Sequence, residues 1–333
     1  MIKYDVVLGP FAHNANSSVR IMYTVLLTLL PAMLFGVYQF GLNSLYVLLI
    51  SALAAVLSEW VCLRLMKKSS IACMDGSALL TGVLLAMSLP PSFPLGLTVV
   101  GAIFAVVLGK QIYGGLGQNL FNPAMLARVM LLICFPVEMT QWADPTPIQF
   151  TSGMVDVPAN WLHFDGITSA TALSSERQLP IELWNTFFGQ QGGSLGETSA
   201  LFILIGGLYL LYRRIIHWAI PLSFFLGLGV PALIAHTFDS VRYLPFWTEW
   251  FSGGAMLGAF YIATDLVTSP TSVRGQLVYG AGCGLLVWLI RTYGSYPEGV
   301  AFAVLMMNAA SPLIDHYMRP AVYGSRSLKE KKS

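Results

Sequence analysis

After a polar start, the chain enters an uncharged apolar run from Ile21 to Phe40, IMYTVLLTLLPAMLFGVYQF, and runs of this kind recur almost to its end. A segment crossing about 30 Å of hydrocarbon must satisfy its own backbone hydrogen bonds, so about 20 apolar residues in a row commit to a helix. Ten such segments are expected, at roughly 21–40, 44–65, 74–89, 95–110, 122–136, 199–212, 216–236, 251–268, 276–291 and 300–316. Composition agrees: only 10% of the 333 residues are charged, against about 25% in a soluble domain. The fold class implied is an all-α polytopic membrane protein with one membrane domain, and not the two soluble domains that length alone suggests.

Lys and Arg collect on the cytoplasmic side of membrane proteins. With the N-terminus inside, fifteen basic residues, among them Lys67, Lys68, Lys110, Arg128, Arg213 and Arg214, fall inside, and three, Arg177, Arg242 and Arg291, fall outside. A missed span would invert every later segment, so this asymmetry supports the helix count. It divides the chain into a cytoplasmic arm (1–20), a first transmembrane repeat (21–136), an exported loop (137–198), a second repeat (199–316) and a basic cytoplasmic tail (317–333). In a bacterial cell both termini would be cytoplasmic, the protein would lie in the inner membrane, and the loop would be periplasmic. The mixed, polar start MIKYDVVLGPFAHNANSSVR is not the pattern of a cleavable signal.

The halves resemble one another. DGSALLTGVLLAMSLPPS (Asp75–Ser92) and SGGAMLGAFYIATDLVTSPTS (Ser252–Ser272) both open on small residues and close on a Ser/Thr-Pro break. By the charge map the first runs outward and the second inward. Two inverted five-helix repeats with broken helices are therefore expected, an arrangement that builds sites where the breaks meet. Small residues also serve plain helix packing, which is the alternative for each motif alone.

The polar residues inside the apolar runs narrow the chemistry. In FNPA (Phe121–Ala124), Asn122 suits a helix cap and Pro123 the first turn; a helix start of this kind also attracts an anion or an electron-rich ring. In TDLVTSPTSVRG (Thr264–Gly275), Asp265 and Arg274 invite a pairing, and Ser269 and Pro270 mark a second break. Glu59, Asp75 and Asp315 fall near the expected inner boundary, where solvation is cheap. Trp142, Trp161, Trp184, Trp247 and Trp250 fall on the outer side as an interfacial belt. The four cysteines are widely spaced and never form C-x-x-C, so neither a metal site nor an iron-sulfur cluster is expected from this chain alone. No P-loop, H-E-x-x-H, nucleophile elbow or dinucleotide fingerprint occurs, which leaves ATP-driven transport and hydrolysis without support. Nothing in the charge pattern suggests nucleic acid.

The longest water-facing stretch holds DGITSAT, Asp165 to Thr171. Local physics reads Asp165-Gly166 as a turn and Thr168, Ser169 or Thr171 as a helix cap. The heptapeptide also resembles the flavinylation motif read by a dedicated flavin transferase. With GQNLFNPAM, TDLVTSPTSVRGQLVYG and YPEGVAFAVLMMNAASPLIDHY, it makes the chain resemble the NqrB/RnfD family from about Asp75 to the end, with the short N-terminal arm nearer to the RnfD side.

That resemblance implies a urea-transporter-like fold and a redox subunit that is not catalytic alone, within a complex coupling electron transfer to movement of Na⁺ or H⁺. It implies FMN joined through its phosphate to Thr171, with Asp165, Gly166, Thr168, Ser169 and Ala170 as the motif presented to the transferase. It implies partners too: iron-sulfur subunits, another flavinylated subunit and membrane lipid. A second, noncovalent flavin is left open by the resemblance, with Asn122, Pro123, Ser269 and Pro270 as its places. The alternatives are a channel or carrier for a small polar solute, which the same architecture serves, and a scaffold that carries no electrons.

Overall fold

The computed structural model describes residues 17–142, 145, 147, 149–151, 154–156, 183–189, 192–197, 200–240, 242–294, 296 and 298–319. The motif 165–171, the arm before residue 17 and the tail after 319 lie outside the described residues. Helix dominates. In the first half these are α1 (Ser18–Phe40), α2 (Leu42–Leu65), α3 (Ser77–Met87), α4 (Leu95–Val106, prolonged by a π turn Val107–Gln111), α5 (Pro123–Cys134) and the short α6 (Pro136–Met139). A small antiparallel pair follows, β1 (Gln149–Thr151) and β2 (Met154–Asp156), with Phe150 opposite Val155. Then come α7 (Leu183–Phe188), α8 (Ala200–Tyr212), α9 (Ala219–Phe238), α10 (Phe246–Phe251), α11 (Ala255–Leu257, prolonged by a π turn Gly258–Ile262), α12 (Val273–Tyr293) and α13 (Val300–Tyr317).

Each of the apolar runs read from the sequence has a helical counterpart. Four, α1, α2, α9 and α12, are long and apolar enough to cross a membrane alone. The third helix of each half is short and broken, as small residues and Ser/Thr-Pro ends require. Gly76 (φ +81°), immediately before α3, and Gly253 (φ +63°), two residues before α11, take the left-handed conformation that only glycine adopts at little cost.

Call the face where α1 begins the near face and the one where it ends the far face. Tyr23, early in α1, reaches the carbonyl of Met74, so α3 starts at the near face. Phe35, late in α1, packs in a tilted contact against Phe202 at the start of α8, a helix that therefore runs the other way. The α11 segment starts beside Glu298, just ahead of α13, and ends with the Ile262 carbonyl against Asn122 at the start of α5. Equivalent helices also pair alike in the two halves, α2 with α4 as α9 with α12, and α4 with α5 as α12 with α13.

The tightest of these contacts is α9 on α12. A Cβ placed on Gly280 would lie 2.6 Å from the Ile220 carbonyl, and one on Gly284 only 2.1 Å from that of Phe224. Gly280 and Gly284 are a G-x-x-x-G pair, which lets two backbones touch where lipid supplies no hydrophobic drive. Because the obstructing atoms are backbone, no rotamer change relieves the clash. Gly284→Leu is expected to part the two helices and lower the detergent-solubilised melting temperature by several degrees, an overpacking cost of about 1–3 kcal/mol or more; an unchanged melting curve would refute the close approach.

Candidate functional site

Charged side chains in the apolar interior are grouped in two places, one at each face. At the near face Lys110, at the end of the α4 π turn, donates to Glu59 of α2 at 2.5 Å and also to the Ser77 hydroxyl at the start of α3. Gln111 donates to the same Glu59 oxygen at 2.6 Å, and Ser77 donates to Asp75 at 2.5 Å. Both members of the ion pair are 3% exposed. Glu59 is thus not a solvated boundary residue: its charge is offset by a buried cation, as burial demands.

At the far face Arg291, late in α12, donates from Nη1 to the Glu249 carboxylate at 2.9 Å and to its carbonyl at 2.7 Å, and from Nη2 to the Ser252 carbonyl at 2.9 Å. The two clamps are built alike. In each, a cation from the fourth helix of a half meets a carboxylate from the second helix or the segment after it, beside the start of the broken third helix. A further pair ties the halves together: Arg128 of α5 contacts Glu298, whose Oε1 accepts from the Gly254 N–H at 2.5 Å. Lys110 and Arg128 are therefore interior residues and carry no information on orientation, although the sequence reading counts both as inner charges.

Between the halves lies a cavity of about 80 Å³, walled by Lys110, Ser77, Asn119, Asn122, Thr264 and Asp265 among others. Asn122 caps α5 as expected, its Oδ1 accepting from the N–H groups of Ala124 (3.1 Å) and Met125 (3.3 Å), with Pro123 in the first turn. Its amide donates to the Ile262 carbonyl at 3.5 Å. The volume admits a few waters, far below the roughly 300–1,000 Å³ of pockets that take ring-sized ligands. The expected Asp265–Arg274 pairing does not form. Asp265 instead accepts from the Val267 N–H and the Thr268 hydroxyl, both at 3.2 Å.

The second break faces a neighbouring cavity of about 450 Å³, lined by Ser269, Gln276, His217, Trp218 and Arg214, which has room for a ring. Pro270 is not in its wall; the Pro270 carbonyl accepts from Gln276 Nε2 at 3.1 Å. The two breaks thus line adjacent spaces and do not converge on one. Asp315 of α13 fixes the turn ahead of α12, accepting from Thr271 N–H at 3.0 Å. Among the described residues no group of three His, Cys, Asp or Glu side chains could hold a metal ion.

A third cavity, about 650 Å³, opens at the far face between α1 and α8, walled by Phe35, Tyr38, Phe188, Phe202 and Pro147 with Gln39 at its edge. Gln39 is 3% exposed and its Oε1 has no hydrogen-bond partner. The sequence reading passes over it, because a single glutamine near a helix end carries no pattern. The signal for Arg128 was present, an arginine within PAMLARVMLLIC, since ionisable residues inside a span mark function or pairing.

The profile of the NQR2, RnfD, RnfE family matches residues 6–324. Among curated proteins, the chain is 47% identical to the D component of the ion-translocating oxidoreductase complex of Stutzerimonas stutzeri over 92% of both chains. It is 44% identical to the component of that name from Yersinia pseudotuberculosis, over 97% of this chain and 99% of the relative. For that of Halorhodospira halophila the identity is 43%, over 97% and 96%. A match of this depth across both halves and the loop between them leaves no segment of either half unaccounted for, and the chain belongs to the NQR2, RnfD, RnfE family.

Proposed function

We propose that the chain is a membrane subunit of an ion-translocating oxidoreductase complex, moving Na⁺ or H⁺, and that it carries electrons through FMN attached by its phosphate to Thr171. The observation that carries this reading is the heptapeptide Asp165–Thr171 in the one long loop of a family member whose relatives bear the name of such a complex. Bound FMN supplies the redox chemistry, and the protein supplies its place and surroundings. Tethering keeps the local flavin concentration high where a free cofactor would diffuse away. The loop follows α5 and precedes α8, both of which have their loop-side ends at the far face. Iron-sulfur and further flavin-bearing subunits are the partners such a chain needs, since among the described residues no group of side chains could hold a cluster.

The test is a denaturing gel of the chain co-expressed with an active flavin transferase. Wild type should give an in-gel flavin band and Thr171→Ala none; a dark wild-type lane beside a fluorescent control protein would end the proposal.

The far-face cavity suits a tethered ring. Its aromatic walls, with Phe35 and Phe202 centroids 5.1 Å apart, offer stacking, and the unpaired Gln39 Oε1 offers an acceptor for a ring N–H. Phe202→Ala should leave the covalent band intact while shifting the flavin midpoint potential and fluorescence yield. Unchanged values of both would place the ring elsewhere. The 80 Å³ space between the halves gives the solute-carrier reading no comparable support.

A further inference from the structure

Five charged side chains are buried together at the far end of the interface between the halves, and their charges do not balance. Arg128 contacts Glu298, and Arg291 holds Glu249 at 2.9 Å, so each guanidinium has one carboxylate in direct contact. The fifth is Glu197, which is 4% exposed and lies within the field of both arginines without contacting either. Its side chain accepts from Ser194, whose hydroxyl lies 2.9 Å from Oε1 and whose backbone N–H also donates to the carboxyl.

No other charge faces Glu197 among the described residues. The segment 192–197 packs on the end of α3 through the Met87 and Leu89 carbonyls, on α1 at Gly36 and on α11 at Leu257, all uncharged. Beyond Arg291, a small cavity of about 50 Å³ is walled by Arg242, Tyr243, Glu249, Trp288 and Thr292. Arg242 is exposed on the solvent side of that cavity, its guanidinium over the Tyr243 ring at 5.5 Å and its backbone N–H on Asp239. The buried total is therefore two cations against three carboxylates. An uncompensated carboxylate in such a place neutralises in preference to staying charged.

A second observation points to a small occupant. Arg291 Nε and the hydroxyls of Thr248 and Ser252 are buried without hydrogen-bond partners. Thr248 and Ser252 are each 1% exposed and flank Glu249, and the polar cavity at Arg291 has room for water. The three carboxylates do not converge as metal ligands would.

We infer that Glu197 is held as the neutral acid, which makes the far end of the interface between the halves a binding site for a single proton. Of the three carboxylates it is the one without a guanidinium, and Ser194 can hold either form of it. The cavity at Arg291 is the cluster's solvent-facing side. Loss of the proton would set Glu197 in competition with Glu298 for Arg128 and with Glu249 for Arg291. Proton occupancy is thereby linked to the hold that Glu298 has on the Gly254 N–H at the start of the broken helix. The inference does not depend on the flavin.

Infrared spectra of the full chain in lipid nanodiscs at neutral pH test it. The wild type should show a protonated-carboxyl C=O stretch that is lost in Glu197→Gln and shifted, but not lost, in Ser194→Ala. Carbonyl regions identical in the wild type and both variants overturn the inference. If Glu197→Gln does not fold, Ser194→Ala decides alone: a shifted band supports the site and an unshifted one sinks it.

Discussion

Arg128→Leu should destabilise the chain by about 3–5 kcal/mol, the usual consequence of removing one partner from a buried ion pair. The pair is well shielded, with its side chains 6% and 9% exposed. Without the guanidinium, Glu298 keeps only the Gly254 N–H and no compensating charge. A loss of that size is a large part of the total stability of an ordinary domain. Glu298→Gln should cost less, because an amide oxygen still accepts from Gly254 and Glu197, on giving up its proton, can offset Arg128. The double variant, Arg128→Leu with Glu298→Gln, should recover much of the single loss, since replacing a buried pair whole is often close to neutral. Thermal unfolding in one detergent measures all three. An Arg128→Leu melting curve matching the wild type would mean that the pair does not join the halves.

Why the helices were legible and the ion pairs were not follows from the range of the interactions. A run such as Ile21–Phe40 declares its helix within itself, because the solvent requirement acts on every residue in it. The Asn122 cap and the Pro123 first turn are equally local, satisfied within three residues. The likeness of α11 to α3 lies in the small residues and the Ser/Thr-Pro end, and its opposite direction was expected from the charge map. The clamps are different in kind. Lys110 meets Glu59 across 51 positions, and Arg291 meets Glu249 across 42. Nothing beside Glu59 in LSEWVCL distinguishes a buried partner from a boundary carboxylate, so the sequence reading placed it at the boundary. Asp265 and Arg274 show the opposite error: nearness along the chain suggested a pair, and the backbone turn took Asp265 instead. Ser269 and Asn122 were rightly marked as breaks, but whether two breaks share one cavity depends on side-chain volumes from four elements.

Thr171→Ala is expected to give a complex that assembles but carries no electrons through this subunit. The clamps and the α9–α12 contact are built from residues between 59 and 111 and between 219 and 298, none of them at position 171. What the substitution removes is one hydroxyl oxygen, the atom that would carry the phosphate of FMN. Thr168 and Ser169 offer hydroxyls three and two positions away and should not substitute, because the transferase must fix a single register of the heptapeptide to bring one oxygen to the phosphorus. Thr171→Ser is the informative companion: it keeps the oxygen and drops only a methyl group, so it should restore at least part of the flavin band and of the electron flow. Membranes containing the whole complex, supplied with ferredoxin or NADH, give the rate, and co-purification of the other subunits gives the assembly. If Thr171→Ala conducts at the wild-type rate with no flavin band, the chain is a scaffold and the electrons travel through its neighbours. A rate lost in Ala and regained in Ser, with assembly equal in both, ties the electron path to one oxygen at position 171.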